Sequence, residues 1–189
     1  DTLLVHASAV DYTFADENSF NKQLVVIGSG WNGVGTKILG INAGNGPGNR
    51  VRFNGGAEGS VFIGIKFTGA AQILISSLIF KNCSFTNTNA AIWTWVTGGV
   101  NQYSVPASDI LFENCHFGSG LEGMSDDSNL VFQNCIFLRS DNNQNNTIYL
   151  SGSTNEANTN PNTFDHCIFV TAFDMDFSNA IFRNNIFGD

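Results

Sequence analysis

The sequence predicts an all-β fold: a parallel β-helix, which is a solenoid built from three short strands per coil. Three observations support this prediction. A phrase of the form F-x-N-C-x-F recurs along the chain, three short strand-like stretches separated by Gly, Asn and Ser accompany each recurrence, and 17 of the 189 residues are phenylalanine. No stretch has both the apolar period and the length of a helix that could connect parallel strands.

The repeat sets the length of each coil. Its closing phenylalanines are separated by 18, 32, 20, 32 and 18 residues. The short steps correspond to one coil, and we expect the long steps to be the same coil with an inserted loop of about a dozen residues. Stacked coils lie about 4.8 Å apart, the distance between neighbouring strands of a sheet. The copies are LIFKNCSF (78–85), ILFENCHF (110–117), LVFQNCIF (130–137), TFDHCIF (163–169) and AIFRNNIF (180–187), preceded by a looser copy, FIGIKF (62–67).

Each position of the repeat has an expected role. The two phenylalanines of a copy are expected to point inward and to stack on their equivalents in the neighbouring coils, which buries a large apolar area. The asparagine is expected at a bend, because Asn tolerates left-handed backbone and its side-chain amide can bond to the copies above and below. These bend residues are Asn82, Asn114, Asn134 and Asn184. His166 takes the bend position in one copy, where we interpret it as a structural substitute.

The four cysteines share a single position of the repeat. They are Cys83, Cys115, Cys135 and Cys167. We expect unbonded thiols that pack as small hydrophobic side chains. Equivalent positions in adjacent coils have parallel side-chain vectors, which suit a disulfide poorly. No C-x-x-C or Cys/His spacing typical of a metal site occurs.

With these features, the chain resembles the right-handed parallel β-helix proteins of the pectate-lyase-like superfamily over nearly its whole length. The bend asparagines support this, and the opening DTLLVHAS followed by FNKQLVVIGSG is similar to the first coils of secreted bacterial β-helix repeat proteins. The resemblance implies a right-handed coil and an extracellular or cell-surface location. It leaves the activity open, because one fold hosts many functions.

The glycines of the opening also match a nucleotide-binding motif. Gly28, Gly30 and Gly33 fit G-x-G-x-x-G, but no helical pattern follows them and the next acidic residue is Glu58. A dinucleotide site needs a helix after the glycines and an acidic residue about 20 positions further on. We therefore expect these glycines to let an early coil turn.

Composition limits the partners. The formal net charge of −8 disfavours nucleic acid, and no apolar run is long enough to cross a bilayer. We expect a single domain over 1–189. Because the first residue is Asp1 and a strand-like stretch begins at once, we expect a mature form or an excised part of a longer chain or assembly.

The candidate binding surface is the outer face of the first strand of each coil. Four stretches are assigned to this strand: AIWTWV (91–96), GLEGM (120–124), TIYLS (147–151) and FDMDF (173–177). Alternation along the strands places a strip of aromatic and acidic residues outside. The strip contains Trp93, Trp95, Glu122, Tyr149, Asp174 and Asp176. Trp93, Trp95 and Tyr149 are candidates for stacking on a polysaccharide or cell-surface glycan.

The alternative is a polysaccharide-degrading enzyme, a glycoside hydrolase or a lyase. Glu122, Asp174 and Asp176 are its candidate catalytic carboxylates, since Asp174 and Asp176 would lie about 7 Å apart on one strand face. A lyase of the superfamily would also need calcium and a basic residue, and no Arg or Lys is expected in the strip. Calcium candidates are Asp126, Asp127 and Asp141, in loops without the spacing of known calcium motifs. No other cofactor is expected.

Neither end of the predicted solenoid has a visible cap, so copies of the chain could stack end to end. His6 and His116 have no recognisable acid or nucleophile partner in the sequence. We therefore expect a structural or adhesive role with glycan recognition on the strip, and treat enzymatic activity as the alternative.

Overall fold

The structure is a computed structural model that describes residues 1–13, 19–32, 35–39, 50–68, 70–86, 92–93, 107–118, 121–123, 128–138, 147–150, 161–170, 174–177 and 180–188. The described residues form 23 β-strands, numbered in chain order, and no helix. The predicted all-β character is therefore confirmed for this part of the chain.

The strands form three sheets. Sheet A contains β1 (Thr2–Val5), β4 (Val25–Gly28), β7 (Val61–Ile63), β10 (Ile79–Lys81), β13 (Ser108–Glu113), β16 (Ser128–Gln133), β19 (Asn162–Asp165) and β22 (Ala180–Arg183). Sheet B contains β2 (Tyr12–Thr13), β5 (Thr36–Leu39), β8 (Ile65–Phe67), β11 (Ser84–Phe85), β14 (His116–Phe117), β17 (Ile136–Phe137), β20 (Ile168–Phe169) and β23 (Ile186–Phe187). Sheet C contains β3 (Ser19–Phe20), β6 (Arg50–Phe53), β9 (Ala70–Ile73), β12 (Ile92–Trp93), β15 (Leu121–Gly123), β18 (Thr147–Leu150) and β21 (Asp174–Phe177).

All pairings are parallel, and each strand pairs with the strand three places further along the chain. Long parallel sheets of this kind are consistent with a β-solenoid. The register aligns equivalent repeat positions, so Phe80 pairs with Phe112 and Phe85 with Phe117. The expectation of one domain over 1–189 stays a prediction.

Two columns of stacked phenylalanine rings form the core. In sheet A the stack is Phe62, Phe80, Phe112, Phe132, Phe164 and Phe182. In sheet B it is Phe67, Phe85, Phe117, Phe137, Phe169 and Phe187. Neighbouring rings are nearly parallel, as shown by the 4.6 Å centroid distance and 5° interplanar angle of Phe132 and Phe164. The two columns meet edge to face in the earlier repeats, as Phe112 and Phe117 do, and at a tilt in the last ones, as Phe182 and Phe187 do at 52°.

The asparagines of the repeat adopt left-handed backbone between sheets A and B. Asn82, Asn114, Asn134 and Asn184 have φ between 51° and 54°, and His166 has φ 53°. The side chains of Asn82, Asn114 and Asn134 are exposed, and none of the hydrogen bonds described for this part of the chain joins one of these amides to another. The expected amide ladder is therefore not formed there. Instead the backbone N–H of Asn82 donates to the carbonyl of Glu113 in the next coil, 2.9 Å away.

A second left-handed bend lies at the start of the sheet A strands, before β7 and β10 and inside β13 and β16. Its residues are Gly59, Ser77, Asp109 and Asn129, with φ between 54° and 74°. Ser77, Asp109 and Asn129 each lie five positions before an asparagine of the first bend. Here side chains do bond between coils, because Asn129 Nδ2 donates to Asp109 Oδ1 at 2.7 Å.

The cysteine column packs in the core and also forms hydrogen bonds. All four thiols are free and buried. Each Sγ lies 3.4 Å from the carbonyl oxygen of the inward phenylalanine one coil earlier, as Cys115 does with Phe80 and Cys135 with Phe112. In the last copy, Asn185 fills the cysteine position and its Nδ2 donates to Phe164 O at 3.0 Å. Burial raises the pKa of the Cys115 thiol, so it remains a protonated donor.

Candidate functional site

The residues of the predicted strip fall into one register column of sheet C. Trp93 pairs with Glu122, Glu122 with Tyr149, and Tyr149 with Asp176. The neighbouring column contains Leu121, which is 2% exposed. Asp174 lies two residues before Asp176 on β21 and pairs with Thr147. Trp95 lies outside the described residues.

The same column continues toward the start of the chain through three residues that the sequence alone does not assign to it. Gln72 pairs with Trp93, Arg52 pairs with Gln72, and Ser19 pairs with Arg52. Arg52 Nε donates to Gln72 Oε1 at 3.0 Å. Arg52 thus lies in the same register column as the strip, two strands before Trp93. The repeat is degenerate in these early coils, so the register of β6 and β9 could not be inferred from it.

The column extends across several strands of sheet C. From Arg52 to Asp176 it crosses five strand spacings, about 24 Å at about 4.8 Å each. Arg52 is exposed, whereas Gln72 is fully buried, and the hydrogen bond between them holds the guanidinium against the sheet. Arg52 therefore lies near one end of the column and Asp176 at the other, and the buried Gln72 separates Arg52 from Trp93.

The calcium candidates Asp126, Asp127 and Asp141 lie outside the described residues. Within the ranges that the structure describes, no group of three His, Cys, Asp or Glu residues could hold a metal ion.

A second cluster lies on sheet B. Ser84 and His116 are register partners on β11 and β14, and Ser84 Oγ lies 2.9 Å from His116 Nδ1. The indole of Trp31 stacks on the His116 ring at a centroid distance of 5.3 Å and an angle of 11°. Burial, and then the charge of Lys66, lower the pKa of His116. We name Trp31, Ser84 and His116 the Trp31 cluster.

The opening glycines bring Trp31 to this cluster. Gly30 has φ 101°, and its N–H donates to Gly64 O at 3.0 Å. A Cβ at Gly28 would lie 2.6 Å from Gly64 O, so only glycine allows this close approach. The glycines thus let the loop after β4 fold back onto the coil at Gly64, while Gly33 lies outside the described residues.

The Trp31 cluster does not have the arrangement of a nucleophilic triad. Ser84 is fully buried, and His116 presents Nδ1 to its hydroxyl. In the described part of the chain, no carboxylate contacts His116 to orient it. The sequence shows no acid or nucleophile partner for His116, and the structure supplies the Ser84 hydroxyl and the Trp31 indole. We interpret the cluster as a packing contact between the loop and sheet B.

His166 and Asp165 form a third polar contact, at the bend after β19. His166 Nδ1 lies 2.9 Å from Asp165 Oδ1, and Asn184 Nδ2 donates to the same oxygen at 3.3 Å. The His166 side chain is 60% exposed. The Asn184 bond joins neighbouring repeats, and the left-handed φ of His166 matches its interpretation as a bend substitute.

No protein-family model matches the chain, and searches of curated proteins and of solved structures found no significant match. Among the described residues, no helix is long and apolar enough to cross a membrane.

Proposed function

We propose that this protein is a secreted or cell-surface β-helix with a structural or adhesive role that recognises a glycan along the outer column of sheet C. The register of that column supports the proposal, because it aligns Trp93 and Tyr149 with Arg52, Glu122 and Asp176. Binding sites for small and extended ligands combine aromatic surfaces with a few polar groups that fix orientation. Rings can stack on sugar faces, while carboxylates, amides and guanidinium groups bond to hydroxyls.

The architecture that we propose is a right-handed coil of three strands, as in the pectate-lyase-like superfamily. Pairing between strands three places apart supports three strands per coil. Right-handed connections are the rule between parallel strands of one sheet. A crystal structure would test the hand directly, and a left-handed coil would contradict the proposed superfamily.

Binding is tested with a panel of purified polysaccharides and the variants Trp93→Ala and Tyr149→Ala. We expect each variant to weaken binding by about tenfold or more, equivalent to about 1.4 kcal/mol. The matched control is Gln133→Ala, which removes an exposed polar side chain from sheet A and should leave binding unchanged. Failure of the wild-type chain to bind any polysaccharide would overturn glycan recognition.

The alternative function is polysaccharide cleavage by carboxylates of the same column. Asp174 and Asp176 are separated by two residues on β21, about 7 Å, which lies within the range of an inverting carboxylate pair. Glu122 is the third candidate, and Arg52 provides a basic residue in register with the column. Calcium, if the reaction is a lyase reaction, would be held by Asp126, Asp127 or Asp141.

Binding and cleavage respond differently to substitution. Asp174→Asn and Asp176→Asn should retain binding if the column only recognises a glycan. They should abolish the release of reducing ends or of unsaturated products if the column is catalytic. No product release by the wild-type chain from a polysaccharide that it binds would contradict the enzyme proposal.

We further propose that copies of the chain assemble end to end. The inward phenylalanines of the last coil support this, since Phe182 is 37% exposed and Phe187 is 57% exposed, whereas their equivalents inside the solenoid are buried. Light scattering across a concentration series tests assembly. A constant monomer mass would contradict it.

A further inference from the structure

The outermost strands of sheets A and B differ between the two ends of the solenoid. Among the described residues, β1 and β2 lie at one end and β22 and β23 at the other. Each of these four strands pairs with one neighbour only, so both ends present an unpaired edge in the same parallel direction. An uncovered strand edge is a template for pairing with another chain.

Apolar side chains are exposed at both ends, in the same inward columns. Leu3 shares its register column with Val26 and Phe62, and is 48% exposed where those two are fully buried. Tyr12 lies in the sheet B column through Ile38 and Phe67, and is 40% exposed.

At the opposite end the same two columns finish in exposed phenylalanines. Phe182 stacks on Phe164 at 4.9 Å, and Phe187 stacks on Phe169 at 4.8 Å. Sheet C differs, because Phe20 on its first strand is only 6% exposed. At the start of the chain, the accessible apolar surface among the described side chains therefore belongs to sheets A and B.

We propose that a second copy of this chain docks head to tail, with β22 against β1 and β23 against β2, so that Phe182 faces Leu3 and Phe187 faces Tyr12 of the next copy. The inference rests on the proposed end-to-end assembly and specifies its register. A second copy of the chain fits this surface, because its first strands present a parallel edge. Their apolar residues lie at the positions that continue the sheet A and sheet B columns. The contact is heterologous, so it extends into an open filament.

The register is tested by pairing cysteine variants of the full chain. Tyr12→Cys is mixed with Phe187→Cys, and Leu3→Cys with Phe182→Cys, and a short bis-methanethiosulfonate reagent is added. The control mixture is Leu3→Cys with Phe187→Cys, whose positions belong to different sheets. The native thiols are buried, so the wild-type chain should give no linked product. Circular dichroism checks the fold, and light scattering checks that each variant assembles.

In the proposed register, both matched mixtures give linked dimers at least about tenfold above the control mixture. If mass rises with concentration but the matched pairs link no more than the control, the register is wrong while end-to-end assembly stands. If the wild-type mass stays constant at every concentration, both proposals are overturned. Glycan binding is measured separately and does not depend on either result.

Discussion

The indole of Trp31 stacks on the imidazole of His116, with ring centroids 5.3 Å apart and ring planes at 11°. Trp31 follows β4, whereas His116 lies on β14, three strands beyond β5 in sheet B. The loop after β4 therefore extends along sheet B and contacts a strand three places beyond β5 in that sheet. Gly28 and Gly30 of the opening serve this contact.

We expect this contact to make stability depend on pH. Burial and the charge of Lys66 lower the pKa of His116 below its ordinary value of 6.5. The unfolded chain therefore takes up the proton at a higher pH than the folded chain. The contribution to the free energy of unfolding is fully present above about pH 6.5 and is lost as pH falls through the lowered pKa.

Urea unfolding of the wild type and of His116→Gln over about pH 4 to 8 measures this effect. The difference in free energy of unfolding between the two proteins should shrink as pH falls below about 6.5. Parallel pH profiles would show that His116 does not titrate differently in the two states. The other titratable groups are common to both proteins, so the comparison isolates His116.

The sequence predicted the stacked parallel strands because the same residues must recur wherever coils stack. Phe80 and Phe112 occupy the same position of their repeats. In stacked repeats, residues at the same position become register partners on neighbouring strands. Ser84 and His116 also share one position, in NCSF and NCHF, so aligning the repeats could have revealed their contact. Trp31 belongs to no repeat, and no spacing in the sequence indicates where its loop folds.

The sequence contains a signal for the second bend as well. Ser77, Asp109 and Asn129 are residues that favour turns, and they stand at a constant distance before the bend asparagines. Arg52 was missed for a different reason. Its coil lacks the F-x-N-C-x-F phrase, so only the strand register places it in the candidate column.

Replacing Cys115 should show that the thiol acts as a hydrogen-bond donor as well as a packing group. Cys115→Ala removes the bond to Phe80 O and leaves a small void, which should cost about 1–3 kcal/mol. Cys115→Ser keeps a donor and should cost less. Equal or greater loss in the serine variant, measured by urea unfolding, would contradict the donor role.

Substitution of a bend asparagine should separate backbone from side-chain effects. Asn134 has φ 52° and an exposed side chain. Asn134→Ala should lower the free energy of unfolding by about 1–2 kcal/mol, because Ala lacks the tolerance of Asn for left-handed backbone. Asn134→Gly should be close to neutral, since glycine adopts this conformation freely.

The control for this prediction is Gln133→Ala, at the exposed neighbouring position within β16. It should change stability by less than about 0.5 kcal/mol. If Asn134→Gly proves as destabilising as Asn134→Ala, the side-chain amide rather than the backbone conformation is what the bend requires. Thermal or urea unfolding of the three variants distinguishes the two explanations.

The phenylalanine stack should be most sensitive to truncation at its centre. Phe132 is 1% exposed and lies between Phe112 and Phe164, at centroid distances of 4.8 Å and 4.6 Å. Phe132→Ala should cost about 3–5 kcal/mol, because it removes apolar burial and leaves a cavity that stacked strands cannot close. Phe182→Ala is the matched control, since the same ring at the end of the same column is 37% exposed.

We expect the Phe182 variant to lose less than half as much stability as the Phe132 variant, because part of its ring already contacts water. Both are measured by urea unfolding at a concentration where light scattering reports monomer, so that assembly does not contribute. Equal losses at the two positions would mean that the last coil is covered in solution by another part of the chain. That result would also remove the exposed end on which the head-to-tail contact depends.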